Sequence, residues 1–161
     1  YTEGVYGMFL LGDRNVERVV VLVDALPPPD PPFGQRWVRL LSATRGVTVD
    51  AVHVTTGGDI ASGTTVASDL DFTDVSEFVL VPAGDVVLVL NGAEVNRIAV
   101  VGRSSNDATI FPHTFVAVPP CTSAGTCSSP RLERRDLGCP GTDEFGDPYV
   151  CSEARFMQAR Q

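Results

Sequence analysis

Phe78-Val79-Leu80-Val81, Pro82-Ala83-Gly84-Asp85, Val86-Val87-Leu88-Val89-Leu90: this stretch of the chain decides the fold class. Two short apolar runs rich in β-branched residues flank a tetrapeptide of turn formers, which predicts two strands joined as a hairpin. Neither run is long enough to make a stable helix, and the proline between them stops one from continuing.

The same grammar repeats outward. Residues 5–11 and 18–24 read as strands with Gly12-Asp13-Arg14-Asn15 as the turn. Residues 36–41 alternate in part and residues 47–54 alternate better, with valines on one face at 47 and 49 before the pattern slips, so both read as further strands. Residues 97–101 and 109–118 follow, joined by a polar turn over 102–107. The stretch 55–63 is rich in Gly, Thr and Ser and reads as loop, with a short strand inside it as the alternative, while Asp69 to Glu77 has the capping residues for one helical turn. Many short strands with turn signals between them predict an all-β chain, an immunoglobulin-like antiparallel β-sandwich.

Leu26-Pro27-Pro28-Pro29-Asp30-Pro31-Pro32 interrupts this pattern, with five prolines in six positions. Such a segment neither pairs as a central strand nor winds into a helix, so 27–32 is expected to be a stiff linker. The expected organisation is a hairpin over 1–26, a linker over 27–32, a sandwich over 33–120 and a cysteine-containing tail over 121–161. There is also an internal echo. Leu10-Leu11-Gly12-Asp13 aligns with Val100-Val101-Gly102-Arg103 ninety positions later, and each is followed by a second apolar strand and then by Pro-Pro. One reading makes 1–26 the closing hairpin of a preceding tandem repeat. The other is chance similarity between two generic hairpins.

Composition bounds the function. In 161 residues the net charge is −8, and all 12 basic residues are arginine. Residues 1–120 hold 14 acids against 7 arginines, which argues against binding a phosphate backbone. Nucleic acid is therefore not an expected partner. The longest apolar runs are strand-sized, far short of a bilayer span. Tyr1 opens directly into strand-like sequence, so any export signal is expected to lie outside this stretch.

Cys121, Cys127, Cys139 and Cys151 all fall in the last quarter, in sequence with little to build a core. Disulfides are the expected use, and with them an extracellular or cell-surface location. Four cysteines allow three pairings, and the sequence does not choose among them. Zinc is the rival, but gaps of five, eleven and eleven residues do not form the short knuckles of structural zinc sites.

The densest carboxylate groups are Asp69, Asp71 and Asp74, and Asp143, Glu144 and Asp147. Calcium takes such ligands from loops, yet neither group has the spacing of an EF-hand, so a capped turn and a solvated loop are expected instead. His53 is expected at solvent or at a sheet edge, and His113 beside a bulge in its strand. No Gly-x-Ser-x-Gly elbow is present, and no catalytic residue is expected. Trp37, Phe78, Phe111 and Phe115 form either an exposed sugar-stacking platform or, as is commoner, core.

Trp37-Val38-Arg39-Leu40-Leu41-Ser42-Ala43, Val49-Asp50-Ala51-Val52-His53-Val54, Phe72-Thr73-Asp74-Val75-Ser76-Glu77-Phe78 and Val81-Pro82-Ala83-Gly84 occur in that order. Together they resemble the bacterial domain-of-unknown-function family 4397, over about 33–118 plus the leading hairpin. The resemblance implies an extracellular, often tandem, immunoglobulin-like domain and carries no catalytic residues. The chain departs from the family pattern after Ala43, where Thr44-Arg45-Gly46 replaces a longer loop. The expected function is a non-catalytic extracellular or cell-surface structural or adhesion module without cofactor or metal, partnered by protein. Strand addition is one route to an oligomer or filament. A carbohydrate or surface-polymer binding module is the alternative.

Overall fold

A computed structural model describes residues 5–13, 16–24, 28–105, 112–118 and 129–136. The four cysteines, Phe111 and the Asp143–Asp147 carboxylates lie outside these residues. The chain divides into two compact units, Pro28–Arg135 and the chain on either side of it.

Outside the larger unit, β1 (Val5–Asp13) pairs antiparallel with β2 (Val16–Asp24) in a two-stranded sheet, from Val5 opposite Asp24 to Asp13 opposite Val16. The described residues of the larger unit are all-β apart from a 3-10 turn at Ile60–Ser62. Its strands are β3 (Gln35–Ser42), β4 (Val49–Val54), β5 (Thr64–Leu70), β6 (Val79–Pro82), β7 (Gly84–Leu90), β8 (Ala93–Val100), β9 (His113–Val118) and β10 (Arg131–Asp136). They form two four-stranded sheets, one in the order β10-β9-β3-β6 and the other β5-β4-β7-β8.

Alternation builds the core between them. Val38 and Leu40 of β3, Val81 of β6, Phe115 and Ala117 of β9 and Leu132 of β10 meet Val49 and Ala51 of β4, Val66 of β5, Val86 and Leu88 of β7 and Val100 of β8 in one buried cluster. In β7 the intervening Val87 and Val89 are buried as well, because Val52, Val54 and Ile60 pack on them over the opposite face. A strand covered on both faces has no polar position, hence its unbroken apolar run.

Several expectations need correction. The turn at Pro82-Ala83-Gly84-Asp85 is not a hairpin: β6 pairs with β3 and β7 pairs with β4, so the chain changes sheet at Ala83. The hairpin of this region is β7–β8, closed by Asn91 and Gly92, both at positive φ. That is the two-residue turn that right-twisted strands favour. β8 and β9 also lie in different sheets, and β9 runs parallel to β3. The second member of the proposed repeat is therefore no hairpin, and the echo with β1–β2 is not structural. Residues 69–77 form no helix. Asp69 and Leu70 end β5, and Val75 bridges Leu41 in extended backbone. Arg131–Asp136, in the stretch expected to be loop, is a strand.

Candidate functional site

The proline stretch is bound to the sandwich. Trp37 lies on the face of β3 turned away from the shared core, and its indole N–H donates to the Pro29 carbonyl at 2.7 Å. Arg103 Nη1 donates to the Pro31 carbonyl at 2.9 Å and lies 3.8 Å from the Asp30 carboxylate. Pro31 itself is fully buried. Prolines have no N–H that needs an acceptor, so the segment's backbone offers mainly carbonyls, and the two side-chain donors hold it through these. Two glycines make the junction possible. The Gly34 amide donates to the Arg103 carbonyl at 2.8 Å, and the Arg103 amide to the Gln35 carbonyl at 2.9 Å. A Cβ at Gly102 would run into the Gly34 carbonyl and sit 2.9 Å from its Cα. Beside this junction Phe33 is 70% exposed and Val101 62%, with the Arg103 guanidinium 5.2 Å from the Phe33 ring centroid.

A second polar cluster lies on the outer face of β7 and β8. The Asp85 carboxylate accepts the Gly57 amide at 3.0 Å and Arg97 Nη1 at 3.1 Å. Arg97 also donates to the Gly58 carbonyl at 3.2 Å and makes a two-pronged pair with Glu94 at 2.6 and 2.9 Å. Its hydrogen bond to Arg97 holds the Glu94 carboxyl below its ordinary range, and both acids raise Arg97. The result is a clasp that holds the 55–63 loop over Val54, Val87 and Val89.

His53 sits on the core side of β4 at the sheet-crossing turn, 4% exposed, which corrects the expectation of a solvent-facing position. A Cβ at Gly84 would come within 2.7 Å of its Nε2, and Nε2 has no hydrogen-bond partner. Burial lowers its pKa, opposed by a hydrogen bond to the Pro82 carbonyl and by the charge of Asp85. His113 is buried on β9 with its ring edge-on to Phe115, 6.2 Å between centroids.

The aromatics divide. Phe115 is in the core, whereas Trp37 and Phe78 are half-buried outside it, with the Arg39 guanidinium 4.3 Å from the centre of the Phe78 ring. The carboxylates around 69–74 serve the backbone: Asp50 accepts the Asp69 amide at 2.7 Å and Asp74 the Asp71 amide at 3.0 Å. Among the described residues no three His, Cys, Asp or Glu side chains gather to hold a metal ion, and no helix is long and apolar enough to cross a membrane.

The sheet edges differ in how they are guarded. β6 is four residues long and ends at Pro82. β10, Arg-Leu-Glu-Arg-Arg-Asp, carries charge at every position but one. β8 and β10 are stitched at a corner, where Asn96 Oδ1 accepts the Leu132 amide at 2.8 Å. Among the described residues β5 pairs with β4 alone, with register shifts at Thr65–Ala67 and Ala67–Leu70, and Thr64, Thr65, Ser68 and Asp69 are exposed along it.

No family model matches this chain, and no curated protein matches it.

Proposed function

We propose that this chain is a non-catalytic, extracellular or cell-surface structural module of bacterial origin, with an immunoglobulin-like sandwich and a disulfide-containing tail. One observation carries the reading: Trp37, Arg103 and the burial of Pro31 fasten Pro28–Pro32 along the sandwich. A loose proline linker leaves direction to chance, whereas a docked one fixes the line along which the chain leaves the domain. That is the requirement of a part that spaces or assembles. The polar clasp of Arg97, Asp85 and Glu94 supports the same reading, because its hydrogen bonds hold a loop in place.

A carbohydrate or surface-polymer binding module is the second reading. It is favoured by Phe33, an aromatic ring 70% exposed beside Arg103 and Val101, the kind of apolar face on which a sugar ring stacks.

The test takes the full chain through a hydrolase substrate panel, a glycan array and peptide mapping without reductant. Structural use predicts no turnover, no retained glycan, and Cys121, Cys127, Cys139 and Cys151 in disulfides. Glycan binding lost in Phe33→Ala would establish the second reading instead. Turnover would end both, and four free thiols would remove the extracellular assignment.

A further inference from the structure

We propose that His53 fastens the sheet-crossing corner in a pH-sensitive way, and that its protonation releases the docked proline segment Pro28–Pro32. This regulation acts on the segment whose docking supports the structural-module reading, and rests on that reading for its use.

His53 ties the two sheets together. It stands on β4, in the sheet β5-β4-β7-β8, while the carbonyl that accepts its imidazole N–H belongs to Pro82, the last residue of β6 in the other sheet. The residue is 4% exposed, and its other ring nitrogen, Nε2, has no hydrogen-bond partner. Neutral imidazole suits such a site, with one nitrogen donating and the other left as a bare lone pair. Imidazolium does not, because both nitrogens then carry protons and the second finds no acceptor. A buried charge with an unmade hydrogen bond is the costlier state. A Cβ at Gly84 would lie 2.7 Å from Nε2, so the ring already rests against the start of β7, and relief requires the corner to part.

The charged groups around the ring do not remove that cost. Asp85 of β7 is opposite Val54, on the outer face, and its carboxylate is shared between the Gly57 amide and Arg97 of β8. Its charge favours imidazolium, but burial outweighs it. The buried Arg36 of β3, opposite Val81, is a donor whose Nε is spent on the Val101 carbonyl at 3.2 Å. β5 offers the uncharged Thr64 opposite His53, and Asp59 in the loop between β4 and β5 is exposed.

Pro82 leads directly to the docked segment, all within the larger unit. It pairs with Gln35, and the next amide, that of Ala83, donates to the Gly34 carbonyl at 3.1 Å. The Gly34 amide donates to the Arg103 carbonyl at 2.8 Å, and Arg103 holds the Pro31 carbonyl at 2.9 Å. When Pro82 parts from His53, Ala83 withdraws from Gly34 and the junction that carries Arg103 loosens. Burial holds the ring below its ordinary 6.5 in the closed corner, and opening restores that value. The closed corner is therefore fully favoured above 6.5. As pH falls further the opened one gains by up to about tenfold per unit, until the closed-corner value is passed.

The test takes the full chain from about pH 7.5 to about pH 5. Hydrogen exchange, corrected for the intrinsic pH dependence of amide exchange, should show the Gly34, Ala83 and Arg103 amides opening more as pH falls. Val87 and Leu88, in a strand paired on both sides, should keep their protection. Emission of Trp37, the only tryptophan, should move to the red over the same interval as the indole N–H loses the Pro29 carbonyl. His53→Gln keeps a donor for Pro82 without a titrating ring, and should flatten both responses. Opening at Gly34, Ala83 and Arg103 that is independent of pH overturns the proposal on the unaltered chain alone. So does opening that takes Val87 and Leu88 with it, since that is global unfolding. An undiminished response in His53→Gln assigns the effect to another group, such as His113, and overturns it equally. None of these outcomes touches the structural-module reading, which falls on turnover or glycan binding instead.

Discussion

Asp85 and Arg97 meet at 3.1 Å across neighbouring strands, and each also holds the loop beyond: the carboxylate takes the Gly57 amide and the guanidinium the Gly58 carbonyl. The side chain of Asp85 is only 8% exposed, so removing it strands a partly buried amide as well as breaking an ion pair. Asp85→Ala is therefore expected to cost about 1–3 kcal/mol, read as a lower denaturant midpoint at unchanged slope. Asp85→Asn keeps an acceptor for Gly57 and should cost less. In both variants hydrogen exchange should quicken first in 55–63.

His53 makes stability fall on mild acidification. Its buried ring is held neutral below the ordinary value of 6.5, and with Nε2 lacking a partner it is Nδ1 that donates to the Pro82 carbonyl. The unfolded chain takes up a proton near 6.5 and the folded chain resists until lower pH. The stability that neutral His53 contributes is therefore complete above that value and is lost as pH falls through the folded pKa. Denaturant midpoints between about pH 7 and about pH 5 should decline for the unaltered chain. They should decline less for His53→Gln; an identical decline would place the effect elsewhere.

Gly84→Ala tests the same corner by packing. The added methyl would run into the Val54 carbonyl and come within 2.7 Å of His53 Nε2, and both belong to a strand held between neighbours on either side. Overpacking of this kind costs about 1–3 kcal/mol. Ala83, one residue earlier and exposed, should accept substitution by serine with little change, and thermal unfolding of the pair separates the two effects.

How far the sequence was readable follows from where the information lies. β7 and its neighbours were legible because burial on both faces leaves an unbroken apolar run, which few other structures tolerate. The pairing of β6 and β7 was not, because Pro82-Ala83-Gly84 turns the chain equally well within one sheet or between two. Asn91-Gly92 is the sequence signal for the true hairpin. β5 was hidden, since the Gly-, Thr- and Ser-rich stretch 55–63 reads as loop and Thr64 to Ser68 beyond it have too little apolar pattern to mark a strand until β4 supplies a partner. Of the candidate site, Trp37 was visible as a residue, but its bond to Pro29 was not. Only folding brings β3 back against the segment that precedes it.

That bond gives the last prediction. Trp37 is the only tryptophan, so its emission reports whether the proline segment is docked. Trp37 itself stays anchored in β3 through its pairing with Leu80, and an undocked segment would leave the indole N–H to water. Arg103→Ala removes the bond to the Pro31 carbonyl and the guanidinium beside Phe33 without touching Trp37. If the two donors act together, Arg103→Ala should shift Trp37 emission to the red and lower stability by about 0.5–1.5 kcal/mol. Arg103→Lys should recover part of both, since a lysine reaches a carbonyl but does not lie flat on a ring. Unchanged emission in Arg103→Ala would mean that Trp37 alone docks the segment. Trp37→Phe, followed by hydrogen exchange at Phe33 and Gly34, would then be the variant that releases it.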